Sequence, residues 1–117
     1  MIPKKLDVSF PVAISTATTF YTVVPCRCTI TDIKLACSID PGDDETFTVT
    51  SGGTSIGVVD MGSDIAAGDI GVYTTNATTG DTVLEAGATL KFVTTSMTAA
   101  SHFAGYVEVD QYARVEE

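Results

Sequence analysis

Arg27–Ile39 reads RCTITDIKLACSI. Along it Thr31, Ile33, Leu35, Cys37 and Ile39 fall on one face, and Asp32, Lys34, Ala36 and Ser38 on the other. A period of two residues belongs to a strand with one side in a core. An amphipathic helix needs apolar residues three and four apart, and no stretch of the chain supplies that pattern. After this run, Asp40-Pro41-Gly42-Asp43-Asp44 makes a turn, because proline presets φ and glycine permits positive φ. Glu45–Thr50 then returns with Phe47 and Val49 inward and Thr46, Thr48 and Thr50 outward. Ser51-Gly52-Gly53 turns the chain again into Ser55–Met61, so these strands read as neighbours in a meander.

Before the central run, Thr19–Val24 is a strand closed by Pro25. Val8–Ile14 is a first strand candidate in which Pro11 signals an edge or a bulge. Beyond it come a loop over Gly62–Asp69, a short strand Ile70–Thr75, a loop over Asn76–Gly80, and Thr82–Leu84 leading into the tight turn Glu85–Ala88. Thr89–Thr95 follows with Leu90 and Phe92 inward. Ser96–Ser101 connects to a last strand, Phe103–Tyr112, with Phe103, Val107 and Val109 on one face and Tyr106, Glu108, Asp110 and Tyr112 on the other. About eight strands at such spacing give an all-β, single-domain antiparallel β-sandwich. Connections of uneven length suit strands that cross between two sheets, so the expected form is jelly-roll-like rather than an up-and-down barrel. The absence of any repeat argues against a propeller or β-helix. The expected division is an N-terminal arm at 1–10, the sandwich at 11–112 and a C-terminal tail at 113–117.

The 117 residues suit one domain. A net charge of -9, with 15 acidic residues against 6 basic ones, opposes nucleic-acid binding, which needs phosphate neutralised, and opposes an anionic membrane surface. No apolar run approaches the length of a membrane span. The start, MIPKKLDVSFP, has two lysines but no apolar stretch after them, so the expected place of synthesis and folding is a cytoplasm. The cysteines Cys26, Cys28 and Cys37 are odd in number and read as reduced, mostly buried residues. Residues two apart on a strand hold their Cα atoms too far apart for a good disulfide. A charged share of 18% is low for a solvated monomer, which points to a surface covered by copies of the chain or by a partner.

Catalytic chemistry has little to start from. The one histidine, His102, adjoins Ser101, and adjacent strand residues point to opposite faces, so the two do not form a nucleophile–base pair. No nucleotide-binding, nucleophile-elbow or zinc-protease motif is present. Cys26, Cys28, Cys37 and His102 have zinc-ligand chemistry, but the C-x-C spacing fans both thiols to one face rather than around an ion. Asp40, Asp43, Asp44 and Glu45 in one turn, with Asp64 and Asp69 bracketing another, are the better calcium candidates, although acidic turn residues are common in so acidic a chain. Asn76-Ala77-Thr78 matches a glycosylation sequon, read as accidental without a secretory signal. The expectation is therefore no enzyme, no cofactor and no metal. Two features remain. Lys4 and Lys5 place two of the few basic residues in an arm suited to reach an acidic partner. Tyr106 and Tyr112 share a face of the last strand and are candidates for a subunit interface.

FPVAISTATTFYTVVPCRCTITDIKLAC near the start, DTVLEAGATLKFVTTS later, and HFAGYVEVDQY near the end together resemble the small head decoration, or cement, proteins of tailed bacteriophages. A Thr-rich lead-in precedes a long alternating strand, a small-residue turn precedes an L-x-F strand, and a G-Y-V-x-V strand closes the chain. The resemblance spans about Val8 to Tyr112. It implies a structural virion protein on the outer surface of a phage head, assembled in the host cytoplasm. Such a protein would be a homo-oligomer, a trimer ahead of a dimer, whose partner is the major capsid protein and whose task is to bridge capsid subunits. Lys4 and Lys5 would then be capsid contacts, and Tyr106 and Tyr112 oligomer contacts. The other reading is a fibre or adhesion module that recognises a host glycan or receptor.

Overall fold

A computed structural model describes residues 2–9, 16, 18–39, 42, 45–62, 66–94 and 101–112. These form eight strands and no helix: β1 (Ile2–Ser9), β2 (Thr19–Val23), β3 (Cys28–Cys37), β4 (Thr46–Ser51), β5 (Thr54–Asp60), β6 (Val72–Thr75), β7 (Thr89–Thr94) and β8 (Phe103–Gln111). One sheet has the order β1-β8-β3 and the other β2-β7-β4-β5-β6. Every pairing is antiparallel.

The order has a simple origin. The first strand pairs with the last, the second with the second-last, and the fourth with the fifth. The third meets the stretch just before the sixth: Ala36 bridges Ile70, and Gly71 donates its N–H to the Leu35 carbonyl at 3.0 Å. This is one long hairpin rolled over itself, which brings β8 against β3 and β7 against β4. The result is a jelly-roll sandwich. The chain crosses from one sheet to the other at Gly71, leaving β3 after Ile70 and joining β5 from Val72.

Two local features make the register work. Gly52 and Gly53, at φ of 58° and 83°, form the two-residue turn between β4 and β5 that a right-twisted hairpin requires. In β3 the pairing with β8 skips Thr31: Ile30 faces Val109 and Asp32 faces Glu108. The Thr31 hydroxyl donates to the Glu108 carbonyl at 3.0 Å, and Asp32 Oδ1 accepts the N–H of Ile33 at 2.8 Å. This β-bulge corrects the uninterrupted alternation expected over Arg27–Ile39. Thr31 is exposed rather than inward, and Ile39 is 46% exposed. The extra residue changes the phase, so that Cys28 and Ile30 before it and Ile33, Leu35 and Cys37 after it are all buried.

The core between the sheets is built from β3, β4, β5, β7 and β8, with Phe47, Phe92, Phe103, Ile33, Leu35, Ile56 and Leu90 fully enclosed. Phe47 of β4 meets Phe103 of β8 edge to face, with ring centroids 4.8 Å apart, and so joins the two sheets. Such a pair adds about 0.5–1.5 kcal/mol beyond its area.

The chain start differs from expectation. The proposed arm is an edge strand over Ile2–Ser9, in register with β8 from Gln111 to Ala104. Leu6 and Val8 turn toward the core while Pro3, Lys5 and Asp7 turn out. Lys4 occupies a core-phase position yet is exposed, and this charge breaks the alternation that would have revealed the strand. Of the expected strand over Val8–Ile14, Val8 and Ser9 belong to β1, and residues 10–15 lie outside the described residues. So do Asp40, Pro41, Asp43, Asp44, Asp64 and the tail at 113–117.

Candidate functional site

The jelly roll presents two broad outer faces of opposite character. On the three-stranded sheet, cross-strand register sets the outward residues in rows: Ser9–Ala104–Ala36, Asp7–Tyr106–Lys34, Lys5–Glu108–Asp32 and Pro3–Asp110–Thr29. Six of these are ionised side chains of mixed sign. Lys34 Nζ lies 3.1 Å from Asp32 Oδ2, and this bond and charge raise the Lys34 pKa. The Lys5 ammonium sits 4.8 Å from the centroid of the Tyr106 ring. Just beyond β8, the Tyr112 N–H donates to the Arg27 carbonyl at 2.9 Å. The Arg27 guanidinium lies 5.2 Å from the Tyr112 ring centroid, and its Nε is 3.1 Å from Glu85 Oε2. Both partners of that ion pair are more than half exposed, so it contributes little to stability.

The face thus gathers residues that the sequence assigned to separate roles. Lys5 and Tyr106 are in contact, and Tyr112 stands at the end of the same strand with its own cation. Lys4 is not among them. Adjacent residues of a strand leave on opposite sides, so Lys4 and Lys5 do not form one cationic patch. Arg27, Asp32 and Lys34 complete the face. The alternation along β3 already put Asp32 and Lys34 outward, but only the pairing of β3 with β8 shows which residues they join.

The outward face of the five-stranded sheet is nearly uncharged. Its central row runs Thr19–Val93–Thr48–Val58–Thr74 across all five strands. Tyr21, Lys91 and Thr50 make a second row, and Thr46, Asp60 and Val72 a third. Lys91 and Asp60 are its ionised strand residues. Tyr21, Val23 and Val72 are 65%, 60% and 68% exposed, the highest values for large hydrophobic side chains among the described residues.

A cleft of about 420 Å³ opens along the seam where the edge strands β1 and β2 face each other. Phe20 and Phe92 line it beside Asp7, Ser9, Tyr21 and Thr22.

Other candidates from the sequence are placed as follows. Ser101 is buried. Its hydroxyl donates to the Ile39 carbonyl at 3.0 Å and lies 3.3 Å from the Ile39 N–H. The His102 backbone N–H donates to Ser38 Oγ at 2.9 Å. Ser101 therefore fastens the exit of β3 to the start of β8. Cys28 and Cys37 begin and end β3, about 30 Å apart at the usual strand rise, so they do not share an ion. Burial, reinforced by the neighbouring Cys26 thiol, pushes the Cys28 thiol up to about 11. Among the described residues no group of three or more His, Cys, Asp or Glu side chains is placed to hold a metal. Asp69 Oδ2 accepts the N–H of Ala66 at 2.9 Å. The Asn76 side-chain carbonyl accepts the N–H groups of Thr78 and Thr79, closing a turn within the sequon.

No protein-family model, curated protein or solved structure matches this chain.

Proposed function

We propose that this protein is a structural component of a virion. It binds the outer surface of a tailed-phage head as a homo-oligomer and stabilises the shell by bridging subunits of the major capsid protein. The observation that carries this reading is the division between the two outer faces. A shell cement needs contacts with its own copies and contacts with the shell. A flat Thr/Val surface with few charges suits the first. A surface of alternating charges with cation-backed Tyr106 and Tyr112, expected from the sequence to be oligomer contacts, suits registration on a polar shell instead. Each contact is modest, and repetition over an icosahedral lattice multiplies the avidity by about 10²–10⁴. The reading asks for no cofactor and no catalytic step. Jelly rolls also serve as lectins and enzymes, so the faces, and not the fold, support it.

The test is to mix the purified protein with expanded, undecorated heads of its parent phage and image them by electron cryo-microscopy. Regular density at two-fold or three-fold positions is expected. Bare shells at saturating protein would reject the reading. Adhesion to a host glycan is a second reading, favoured by the cleft with Tyr21 and Asp7 on its walls. It predicts saturable glycan binding that Tyr21→Ala abolishes.

A further inference from the structure

We propose that the outward face of the five-stranded sheet docks onto a second copy of this chain as a two-fold pair. This deepens the homo-oligomer part of the reading above and rests on that part alone.

Charge decides which face can meet its like. The molecule carries -9, and two copies brought together through the three-stranded face would each bring four carboxylates, Asp7, Asp32, Glu108 and Asp110, against only two lysines, Lys5 and Lys34, so that both sides are net acidic. Surplus charge of one sign on both sides opposes docking. Among the described strand residues of the five-stranded face, only Lys91 and Asp60 are charged, and they are of opposite sign. Their positions are fixed by register: Lys91 faces Thr50 and Asp60 faces Thr46 across β4. They are two strands apart and four residues apart along β4, about 17 Å by the usual strand spacings, with Thr48 midway.

A two-fold axis lying in the interface and passing by Thr48 lays each Lys91 on the partner's Asp60. Symmetry makes that contact twice. The axis runs oblique to the strands, so the two sheets cross steeply, close to the orthogonal class of sheet packing. Between the ion pairs the surface is hydroxyl and apolar. Thr46, Thr48, Thr50 and Thr74 can each donate and accept against their own kind. The three most exposed large hydrophobic side chains among the described residues, Tyr21, Val23 and Val72, all lie on this face.

The area sets the strength. Five strands about 4.8 Å apart and about five residues long offer roughly 400 Å² of flat sheet per copy. That is about half of what a standard stable interface uses on each side. The free pair is therefore weak and becomes firm where a shell holds copies side by side.

Sedimentation of the full chain from about 10 μM to about 1 mM should show a monomer–dimer equilibrium. Lys91→Glu and Asp60→Lys, each alone, should weaken it at least about tenfold. An equimolar mixture of the two variants should restore it. In that mixed pair the introduced glutamate meets the introduced lysine, and the remaining Lys91 meets the remaining Asp60. Asp60 Oδ1 also accepts the N–H of Gly62 at 2.8 Å. Thr48→Arg, which leaves that bond intact, is therefore the companion variant and should abolish the pair by setting two cations on the axis. Monomer throughout, a trimer, no recovery on mixing two folded variants, or an unchanged dimer in Thr48→Arg would overturn the proposal. A restored dimer together with bare heads would remove the capsid reading and leave this one standing.

Discussion

Deleting one residue from the middle of a strand turns every later side chain to the wrong face. In β3 the outcome depends on which residue is removed. Thr31 has no partner in β8, and the ladder passes from Ile30–Val109 to Asp32–Glu108 around it. Without Thr31, Ile30 stays inward, Asp32 outward and Ile33 inward, so the faces keep their phase. The loss is one hydrogen bond, from the Thr31 hydroxyl to the Glu108 carbonyl at 3.0 Å, and the extra twist of the bulge. Together these amount to about 1–2 kcal/mol. Deleting Lys34 instead makes Ile33 and Leu35 adjacent, and both are fully buried. One of them must leave the core, at about 2–5 kcal/mol, and Lys34 also takes with it the bond to Asp32. Urea unfolding followed by circular dichroism distinguishes the two. With a slope of about 1.5 kcal/mol per molar, deleting Thr31 lowers the midpoint by about 1 M. Deleting Lys34 lowers it by about 2 M or more, or leaves the chain unfolded, since whole domains have only about 5–15 kcal/mol in hand. Equal damage from both deletions, or a harmless loss of Lys34, would refute the bulge as the device that sets the phase.

Phe47→Ala should cost about 3–5 kcal/mol, because it empties the edge-to-face contact with Phe103 that joins the sheets; a fall of less than about 1 kcal/mol in chemical denaturation would place the core elsewhere. Ser101→Ala should lower stability by about 1–3 kcal/mol and speed hydrogen exchange at the Ile39 amide, which its hydroxyl contacts; unchanged exchange there would count against the fastening role. The Cys28 thiol is raised from 9.0 to about 11 in the folded protein. Between those values the unfolded chain has released the proton and the folded chain has kept it, so stability falls as pH rises from 9 toward 11. Cys28→Ala should flatten that part of the unfolding profile, and an identical slope in both proteins would reject the assignment.

The parts of the fold that were legible in the sequence are those where one face is apolar without interruption. Phe47 and Val49 in β4, Leu90 and Phe92 in β7, and Phe103, Val107 and Val109 in β8 are all buried as their alternation required. The turn at Gly52-Gly53 fixed the β4–β5 hairpin. Two things escaped. The β3 bulge is invisible in the sequence because both phases of β3 carry apolar residues, and only pairing with β8 selects Thr31 as the residue to extrude. β1 was hidden by Lys4, whose charge occupies a core-phase position on an edge strand. The site was less legible than the fold. Tyr106 and Tyr112 were visible as residues of one face, and Lys5 with Lys4 as the cations of an arm, but the meeting of Lys5 with Tyr106 depends on β1 lying beside β8. The uncharged face was harder still. Lys91 and Asp60 are far apart in sequence, and only the order β7-β4-β5 sets them around Thr48.

The position of β8 between β1 and β3 also governs how the chain reaches its fold. The three-stranded sheet does not exist until residues 103–111 are available, because the last strand is the shared partner of the first and third. A ribosome must therefore release the residues that follow β1, through β8, before β1 meets its partner strand. Such high contact order places folding in the millisecond-to-second range rather than in microseconds. During that wait β1 is an unpaired strand in a crowded cell. Pro3, Lys4 and Lys5 act there as gatekeepers, since a missing N–H and two charges make it a poor template for aggregation. The lysine that spoils the alternation of the finished strand thus protects the unfinished one.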